Sequence, residues 1–414
     1  MITVMAMVTS ANRKTGEPAE HAGRLKTIAV LLALALAAVL MLRDSLAYVV
    51  RPFDPAMALR INPDNAEVAA SRAEQLLRDD PARSAEAEAL ARRALRRSPV
   101  SAAGARMIAA ARDVAGDPLA ARRLMVYSES LSQRDLPTQV WLIQDAVLHN
   151  DLRSALHHYD IALRSSEASK PLLFPVLVKA LGQPAVVTGL VDTLSARPKW
   201  AAGFLDLAAS QGQDLDGLAA LIHGIALRGY TVPEAVLATA SARMVDARRY
   251  DIAWQVYAVG DPHAARDVIR DPDFARPGLV EGPFVWTIVS GNGLSAEPRR
   301  YGARAALAYR AATGAGGVVA RQLLMLPTGS FGLSGIVPDR AAGSPPALVR
   351  LTCAGNGPAI AAISADAPTF ARPFAVPASC PAQWLEIVVD GGDNPLGASG
   401  AVGGLHVGPM QARR

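Results

Sequence analysis

The pattern of apolar residues changes once along this chain, near residue 275, and the change constrains the fold class. From about residue 55 to 275, apolar positions recur at i, i+3, i+4 and i+7 in segments of ten to fifteen residues, which indicates amphipathic helices. After "DPDFARPGLVEGPF" (271–284), short β-rich runs alternate with Gly-, Pro- and Asp-rich turns. The two patterns predict an α + β multidomain chain, with a helical domain over residues 51–275 and a β domain over 276–414.

Small residues recur in the helical region with a period of 34. The set comprises Ala87, Ala121, Ala155 and Gly189, and another small residue follows each one seven positions later, on the same helix face. In this respect residues 70–265 resemble the second helices of tetratricopeptide repeats, although the Trp, Leu-Gly and Tyr of the first repeat helix are mostly missing. The resemblance implies an α-solenoid whose concave face binds a protein or peptide partner. An unrelated helical bundle is the alternative.

About nine short strands separated by turns predict an antiparallel β-sandwich of the jelly-roll type in residues 276–414. They begin with the Trp-containing run "FVWTIV" (284–289) and end with "GLHVG" (404–408). This order resembles the jelly rolls of carbohydrate-binding and galactose-binding-like modules. The resemblance implies that a glycan is one type of ligand, but no residue motif transfers a ligand site from those modules.

The N-terminal region contains a targeting signal. Residues from Thr27 to Leu42 carry no charge, and Arg24 and Lys26 precede them. Basic residues before an apolar segment favour a cytoplasmic N-terminus. We expect a cytoplasmic tail (1–26), a single transmembrane signal-anchor (27–50) in a bacterial inner membrane, and the remainder in the periplasm. A signal peptide cleaved after "SLA" (45–47) is the alternative.

The two cysteines bear on the expected disulfide bonding, and the net charge bears on the expected type of partner. Cys353 and Cys380 are the only cysteines, and in an oxidising compartment they predict one disulfide; two unpaired buried thiols are the alternative. The net charge is +5, hydrophobic residues make up 51% of the chain, and the arginines are scattered along helices. A large core is therefore expected, and a nucleic-acid partner is not.

The search for chemistry identifies no catalytic motif, so no catalytic, cofactor-binding or metal-binding residues are assigned and an enzyme is not expected. The densest histidine cluster, "HNDLRSALHHYD" (149–160), places His157 and His158 about 100° apart on a helix, which does not suit one metal ion. "DGGDN" (390–394) is an acidic hairpin turn or, alternatively, a calcium loop.

Four residues of the β domain are candidate ligand contacts. Trp286 and Trp384 offer aromatic faces for a sugar ring, and Arg321 and Gln322 interrupt an apolar strand. A buried glutamine needs hydrogen-bond partners, so Gln322 either ties neighbouring segments together or faces a ligand groove.

The leading functional hypothesis is an inner-membrane-anchored periplasmic scaffold that binds protein or peptide partners, in cell-envelope or surface-polysaccharide assembly. The alternative is a carbohydrate-binding or carbohydrate-active protein that uses the β-sandwich.

Overall fold

The computed structural model describes residues 18–276, 280–355 and 357–409. By its internal contacts the chain divides into two compact units, Met1–Asn150 and Asp151–Arg414. The second unit contains helices as well as all the strands. Its division from the first unit therefore lies upstream of the change in secondary structure near residue 275.

Seven α-helices lie in the described part of the first unit. Side-chain oxygens of Asp54, Asn65, Ser101, Asp117 and Asp135 cap the N-termini of five of them, which satisfies backbone donors that have no partner inside the helix. The helices are α1 (Pro18–Val50), α2 (Pro55–Ile61), α3 (Ala66–Asp79), α4 (Ser84–Arg97), α5 (Ala102–Val114), α6 (Pro118–Leu131) and α7 (Leu136–Leu148).

Seven further helices lie in the described part of the second unit. They are α8 (Leu152–Ser165), α9 (Lys170–Lys179), α10 (Pro184–Ser195), α11 (Ala201–Gln211), α12 (Leu215–Leu227), α13 (Glu234–Asp246) and α14 (Tyr250–Ala258). Alternate helices pack on each other, so that α8, α10, α12 and α14 form one row and α9, α11 and α13 another.

Small residues allow this close stacking of alternate helices. A Cβ atom on Gly189 would lie 2.3 Å from Leu156 of α8, and one on Gly224 would lie 2.5 Å from Val191 of α10. Both distances are shorter than van der Waals contact. The regular spacing of small residues thus reflects helix packing, and assignment to the tetratricopeptide repeats remains a prediction.

The strands form two five-stranded antiparallel sheets. Their orders are β1-β4-β9-β6-β7 and β2-β3-β10-β5-β8, and the side chains between them form one core that includes Leu307, Val319, Leu385 and Val402. The strands are β1 (Thr287–Ile288), β2 (Leu294–Tyr301), β3 (Arg304–Ala311), β4 (Gly316–Leu324), β5 (Gly329–Arg340), β6 (Leu348–Cys353), β7 (Ala359–Ser364), β8 (Thr369–Val376), β9 (Gln383–Asp390) and β10 (Ala398–Pro409).

The predicted α + β class, with helices followed by an antiparallel sandwich, is confirmed. The disulfide is present as well, joining Cys353 at the end of β6 to Cys380 before β9. Two strand predictions need correction. Only Thr287–Ile288 of the run "FVWTIV" is a strand, because the chain before it forms a turn in which the N–H of Val285 donates to the carbonyl of Gly282 over 3.2 Å. The strand β2 was missed altogether.

The first helix, α1, contains the predicted membrane segment. Thr27–Val50 comprises 24 residues and is long and apolar enough to cross a membrane, a test that a signal sequence also passes. Its last turns belong to the helical fold, because Ala47 is fully buried in a cluster with Ala58 of α2 and Val68 of α3.

Candidate functional site: a groove on the β2-β3-β10-β5-β8 sheet

The predicted contact Trp286 lies in the core. Its indole N–H donates to the carbonyl of Asp271 over 3.0 Å, and its ring centroid lies 4.7 Å from that of Phe274. The side chain is 7% exposed. This tryptophan therefore joins the segment before the sandwich to the sandwich core.

Gln322 is completely buried and holds the same segment. Its side-chain oxygen accepts the backbone N–H of Arg270 over 2.8 Å, and its side-chain nitrogen donates to the carbonyl of Arg270 over 3.0 Å. Of the two roles predicted for this amide, the geometry fits the structural tie. It links β4 to the segment that follows α14.

Arg321 and Trp384 meet on the outer face of the β1-β4-β9-β6-β7 sheet. The guanidinium carbon of Arg321 lies 4.8 Å from the Trp384 ring centroid, so the ring is half-covered by a cation. On the same face, Glu386 accepts two hydrogen bonds from Arg350, at 2.7 and 2.9 Å. The four charged and aromatic groups thus form two pairs, Arg321 with Trp384 and Arg350 with Glu386. The structure brings Arg321 and Trp384 together but separates them from Trp286 and Gln322.

The opposite sheet carries a groove of about 500 Å³ on its outer face. This volume lies in the range of ligand pockets in proteins. Polar side chains predominate in its lining, which comprises Ser290, Ser295, Ala296, Glu297, Arg299, Tyr301, Ala308, Tyr309, Arg310, Asp339, Ala341, Ser399 and Gly400.

Strand pairing explains how the groove is built. One row of paired residues runs from Glu297 of β2 through Ala308 of β3 and Ala401 of β10 to Asp339 of β5. Neighbouring strands are about 4.8 Å apart, so roughly 14 Å separates the backbones of β2 and β5. Small side chains on the two middle strands leave a low floor, and longer polar side chains stand on either side.

The next row of paired residues closes one end of the groove with hydrogen-bonding groups. Arg310 of β3 lies between Ser295 of β2 and Ser399 of β10. Within the described parts of the chain, the guanidinium of Arg310 and the carboxylate of Asp339 have no hydrogen-bond or ion-pair partner. A cation and an anion are therefore both available to a ligand.

Of the two tyrosines in the lining of the groove, Tyr301 is half-buried and Tyr309 is buried. Burial raises the pKa of the Tyr301 phenol, and the negative charges of Asp339 and Glu297 raise that pKa further, while Arg299 and Arg310 lower it. The phenol is therefore neutral near pH 7 and can donate a hydrogen bond. Glu297 is held in an ion pair with Arg299 at 2.6 Å.

Sequence reasoning missed this site because it missed β2. The segment "LSAEPRRY" (294–301) contains a proline and three charges, and it lacks the apolar alternation that identifies strands. The available signal was Tyr301-Gly302-Ala303-Arg304, in which Gly302 has a φ of 64°. That two-residue turn joins β2 to β3 and is typical of hairpins.

The histidine cluster and the acidic turn, which were the other candidate sites in the sequence, make contacts with residues close by in the chain. The described ranges contain no group of three or more His, Cys, Asp or Glu side chains arranged to hold a metal ion. The rings of His157 and His158 lie edge to face, 5.4 Å apart. In the loop after β9, a carboxylate oxygen of Asp390 accepts the N–H of Gly392 over 2.9 Å, as in an acidic turn.

Known protein structures resemble this chain only weakly, both in structure and in sequence. No protein-family model matches the chain, and no curated protein matches it. Over 35% of its length the chain is similar to all of TmCBM61, solved in complex with β-1,4-galactotriose, at 10% identity and a TM-score of 0.25. Over 30% of its length it is similar to the enzymatically active domain of bacteriophage CBA120 tailspike protein 4, at 14% identity and a TM-score of 0.22, and it spans 19% of that chain.

Proposed function

We propose that this chain is a membrane-anchored saccharide-binding protein and that the groove on the β2-β3-β10-β5-β8 sheet is its binding site. The observation that carries the proposal is the unpaired guanidinium of Arg310 beside Ser295 and Ser399, across a low floor from the unpaired carboxylate of Asp339. The groove has the volume of a ligand site, but its lining is more polar than most small-molecule pockets.

A hydroxyl-rich ligand suits this lining better than an apolar one. Sugar hydroxyls both donate and accept hydrogen bonds, so they can bind a carboxylate, a guanidinium and serine hydroxyls at once. The half-buried ring of Tyr301 offers an apolar face to the C–H side of a sugar ring. Among the candidate surfaces of the sandwich, the Arg321–Trp384 pair is less suitable, because the cation already covers the ring.

Binding without hydrolysis is the activity that we propose. Hydrolysis of a glycosidic bond needs one carboxyl group that carries a proton and a second one facing it. A side-chain oxygen of Glu297 already accepts from the Nε and Nη2 atoms of Arg299, at 2.7 and 2.6 Å. The other acid in the row of Asp339 is Glu297, which lies three strands away with roughly 14 Å between the two backbones.

An uncleaved anchor in a bacterial inner membrane, with the bulk in the periplasm, completes the proposal. Cleavage after Ala47 would cut a fully buried helical residue and would remove Asp44, which accepts a hydrogen bond from the side-chain amide of Asn62. The disulfide is consistent with an oxidising compartment. A periplasmic saccharide site on a membrane-anchored chain fits a role in envelope or surface-polysaccharide assembly.

The test is saccharide binding by the full chain on a glycan array, followed by titration calorimetry with the best ligand. Hydrogen bonds to charged groups contribute about 1.5–3 kcal/mol, so Arg310→Ala should weaken binding roughly 10- to 100-fold. The matched control is Arg321→Ala, which removes an exposed arginine from the other sheet. Equal affinities of the two variants, or no glycan ligand at all, would exclude the groove as a saccharide site.

A protein or peptide partner on the helices is a second candidate function. The supporting observation is an apolar groove of about 540 Å³ along α10 and α12, whose lining includes Val187, Val191 and Ala220. A photoreactive side chain at Thr188, in this groove, should cross-link a partner in cells, whereas one at the exposed Ser210 of α11 should not. Equal cross-linking at both positions would argue against a docking site there.

A further inference from the structure

The end of α1 is fixed to the helices that follow it. Asp44 accepts a hydrogen bond from the side chain of Asn62, which lies in the turn between α2 and α3. Three residues later along α1, Ala47 is buried against α2 and α3. The α2–α3 turn therefore lies beside the point where the uncharged run Thr27–Leu42 ends.

The next turn on the same side of the unit is the one between α4 and α5. Arg97, at the C-terminus of α4, forms an ion pair with Asp64 of the α2–α3 turn at 2.9 Å, and Arg93 approaches the same carboxylate at 3.8 Å. Ser101, which caps α5, donates a hydrogen bond to Glu67 of α3 over 3.2 Å. Both turns thus lie at the level of Asp44.

This edge of the first unit is basic. Its exposed arginines are Arg60, Arg93, Arg96 and Arg97, and its exposed acids are Asp64 and Glu67. Within the part of the chain that the structure describes, Arg60 and Arg96 have no hydrogen-bond or ion-pair partner. We call these four arginines the basic edge.

The opposite edge of the first unit has an excess of acidic residues, in contrast to the basic edge. It carries Asp79 and Asp80 at the end of α3, and Asp113 and Asp117 around the turn from α5 to α6. The exposed Arg78 and Arg83 also lie at this edge, but each forms an ion pair with a glutamate. Basic residues at helix C-termini are favoured by the helix dipole alone. Asp79 lies in the last turn of α3, however, where the dipole disfavours an acid. The helix dipole therefore does not explain the acid at position 79.

The length of the apolar run places the basic edge at a bilayer surface. At about 1.5 Å per residue, Thr27–Leu42 spans roughly 24 Å, which is less than the approximately 30 Å of a hydrocarbon core. No flexible linker separates its end from the fold, because Asp44 and Ala47 are already held by α2 and α3. The α2–α3 and α4–α5 turns must then reach the headgroup layer.

We propose that the basic edge binds anionic phospholipid headgroups and thereby seats the first unit directly on the membrane. The inference rests on the membrane anchoring proposed above. Arginines near a surface of anionic lipids are attracted to it, and Val100 in the α4–α5 turn, which is 74% exposed, would enter the headgroup region with them.

The test uses the full chain in lipid nanodiscs with and without phosphatidylglycerol. Because both cysteines are in the disulfide, a single added thiol can be labelled with a fluorophore. Val100→Cys reports on the basic edge, and Ala82→Cys, in the exposed turn between α3 and α4, reports on the acidic edge. Headgroup-linked quenchers should quench the label at 100 and leave the label at 82 bright, with the larger difference in anionic discs.

The second part of the test removes positive charge from the basic edge. Arg60→Gln combined with Arg96→Gln changes two exposed arginines that have no partner to lose, so the fold should be retained. The ratio of chains whose basic edge contacts the membrane to chains whose basic edge does not should fall roughly fivefold per arginine removed. High salt should also lower this ratio for the unchanged chain. Equal quenching at 82 and 100 in a chain that resists carbonate extraction overturns this proposal alone. Release of the chain by carbonate overturns the anchor, and this proposal with it.

Discussion

Replacing Gln322 by methionine tests whether this buried amide is a structural clamp. Both of its side-chain hydrogen bonds go to the backbone of Arg270, at 2.8 and 3.0 Å. Methionine has a similar length and an apolar, adaptable side chain, so it fills the space while removing both bonds. The substitution therefore isolates the hydrogen bonds from the packing.

The expected loss of stability follows from the two backbone groups of Arg270 that are left without a hydrogen-bond partner. The N–H and the carbonyl of Arg270 would both lose their partner, and each unsatisfied backbone group costs about 1–3 kcal/mol when buried. Arg270 is only half-buried, so water can replace part of what is lost. We expect the free energy of unfolding to fall by about 2–4 kcal/mol.

Urea unfolding followed by tryptophan fluorescence is a suitable assay, because Trp286 packs against the clamped segment through Phe274. The matched control is Gln213→Met in the exposed loop before α12, where the change should be within about 0.5 kcal/mol. Equal stabilities of the two variants would refute the clamp. If Gln322→Met also abolished saccharide binding without destabilising the chain, the glutamine would be a ligand contact instead.

Four further predictions concern the sandwich and the N-terminus. Gly400→Ala should cost about 1–3 kcal/mol in urea unfolding, because its Cβ would lie 2.7 Å from the phenol oxygen of Tyr309. Reducing Cys353–Cys380, which are 27 residues apart, should cost about 3 kcal/mol in the same assay. Burial raises the pKa of Tyr309 above its ordinary value, so its contribution to stability is complete below about pH 10 and is lost as the pH rises through the folded-state pKa; Tyr309→Phe should make the alkaline loss smaller. Mass spectrometry of the protein isolated from cells should find peptides that cross Ala47, and a new N-terminus after that residue would contradict the uncleaved anchor.

The parts of the fold that follow a simple hydrophobic period were predictable from sequence. The helices and most strands of the sandwich carry regular apolar spacing, and two cysteines allow only one intramolecular pairing, which the structure contains. The role of Gln322 was not predictable, because its partner Arg270 lies 52 residues earlier. A strand register or a long-range clamp depends on tertiary packing that local patterns do not encode.

The candidate site was less predictable than the fold because its residues come from strands that are distant in sequence. Ser295, Arg310, Asp339 and Ser399 are brought together only by the order β2-β3-β10-β5. The tryptophans drew attention in the sequence because large aromatics dominate many sugar sites, yet Trp286 is used for the core. The half-buried aromatic side chain in the groove is Tyr301, at the end of a strand that has no apolar alternation.

The polar residues of β2 can also be explained without a ligand, as protection of an edge strand against pairing with other chains. The strand lies at the edge of its sheet, where charged residues and proline prevent pairing with other chains. Glu297, Pro298 and Arg299 fit that role, and an exposed ion pair such as Glu297–Arg299 adds little stability.

Edge protection does not account for the polar groups on the interior strands of the same sheet. Arg310 lies on β3, Ser399 on β10 and Asp339 on β5, and each of these strands has a neighbour on both sides. Within the described residues, the side chains of Arg310 and Asp339 make no hydrogen bond or ion pair, although their charges act on the pKa of Tyr301. No ion pair within the sheet explains a cation at the end of the groove and an anion at its side, so the ligand explanation is favoured for them.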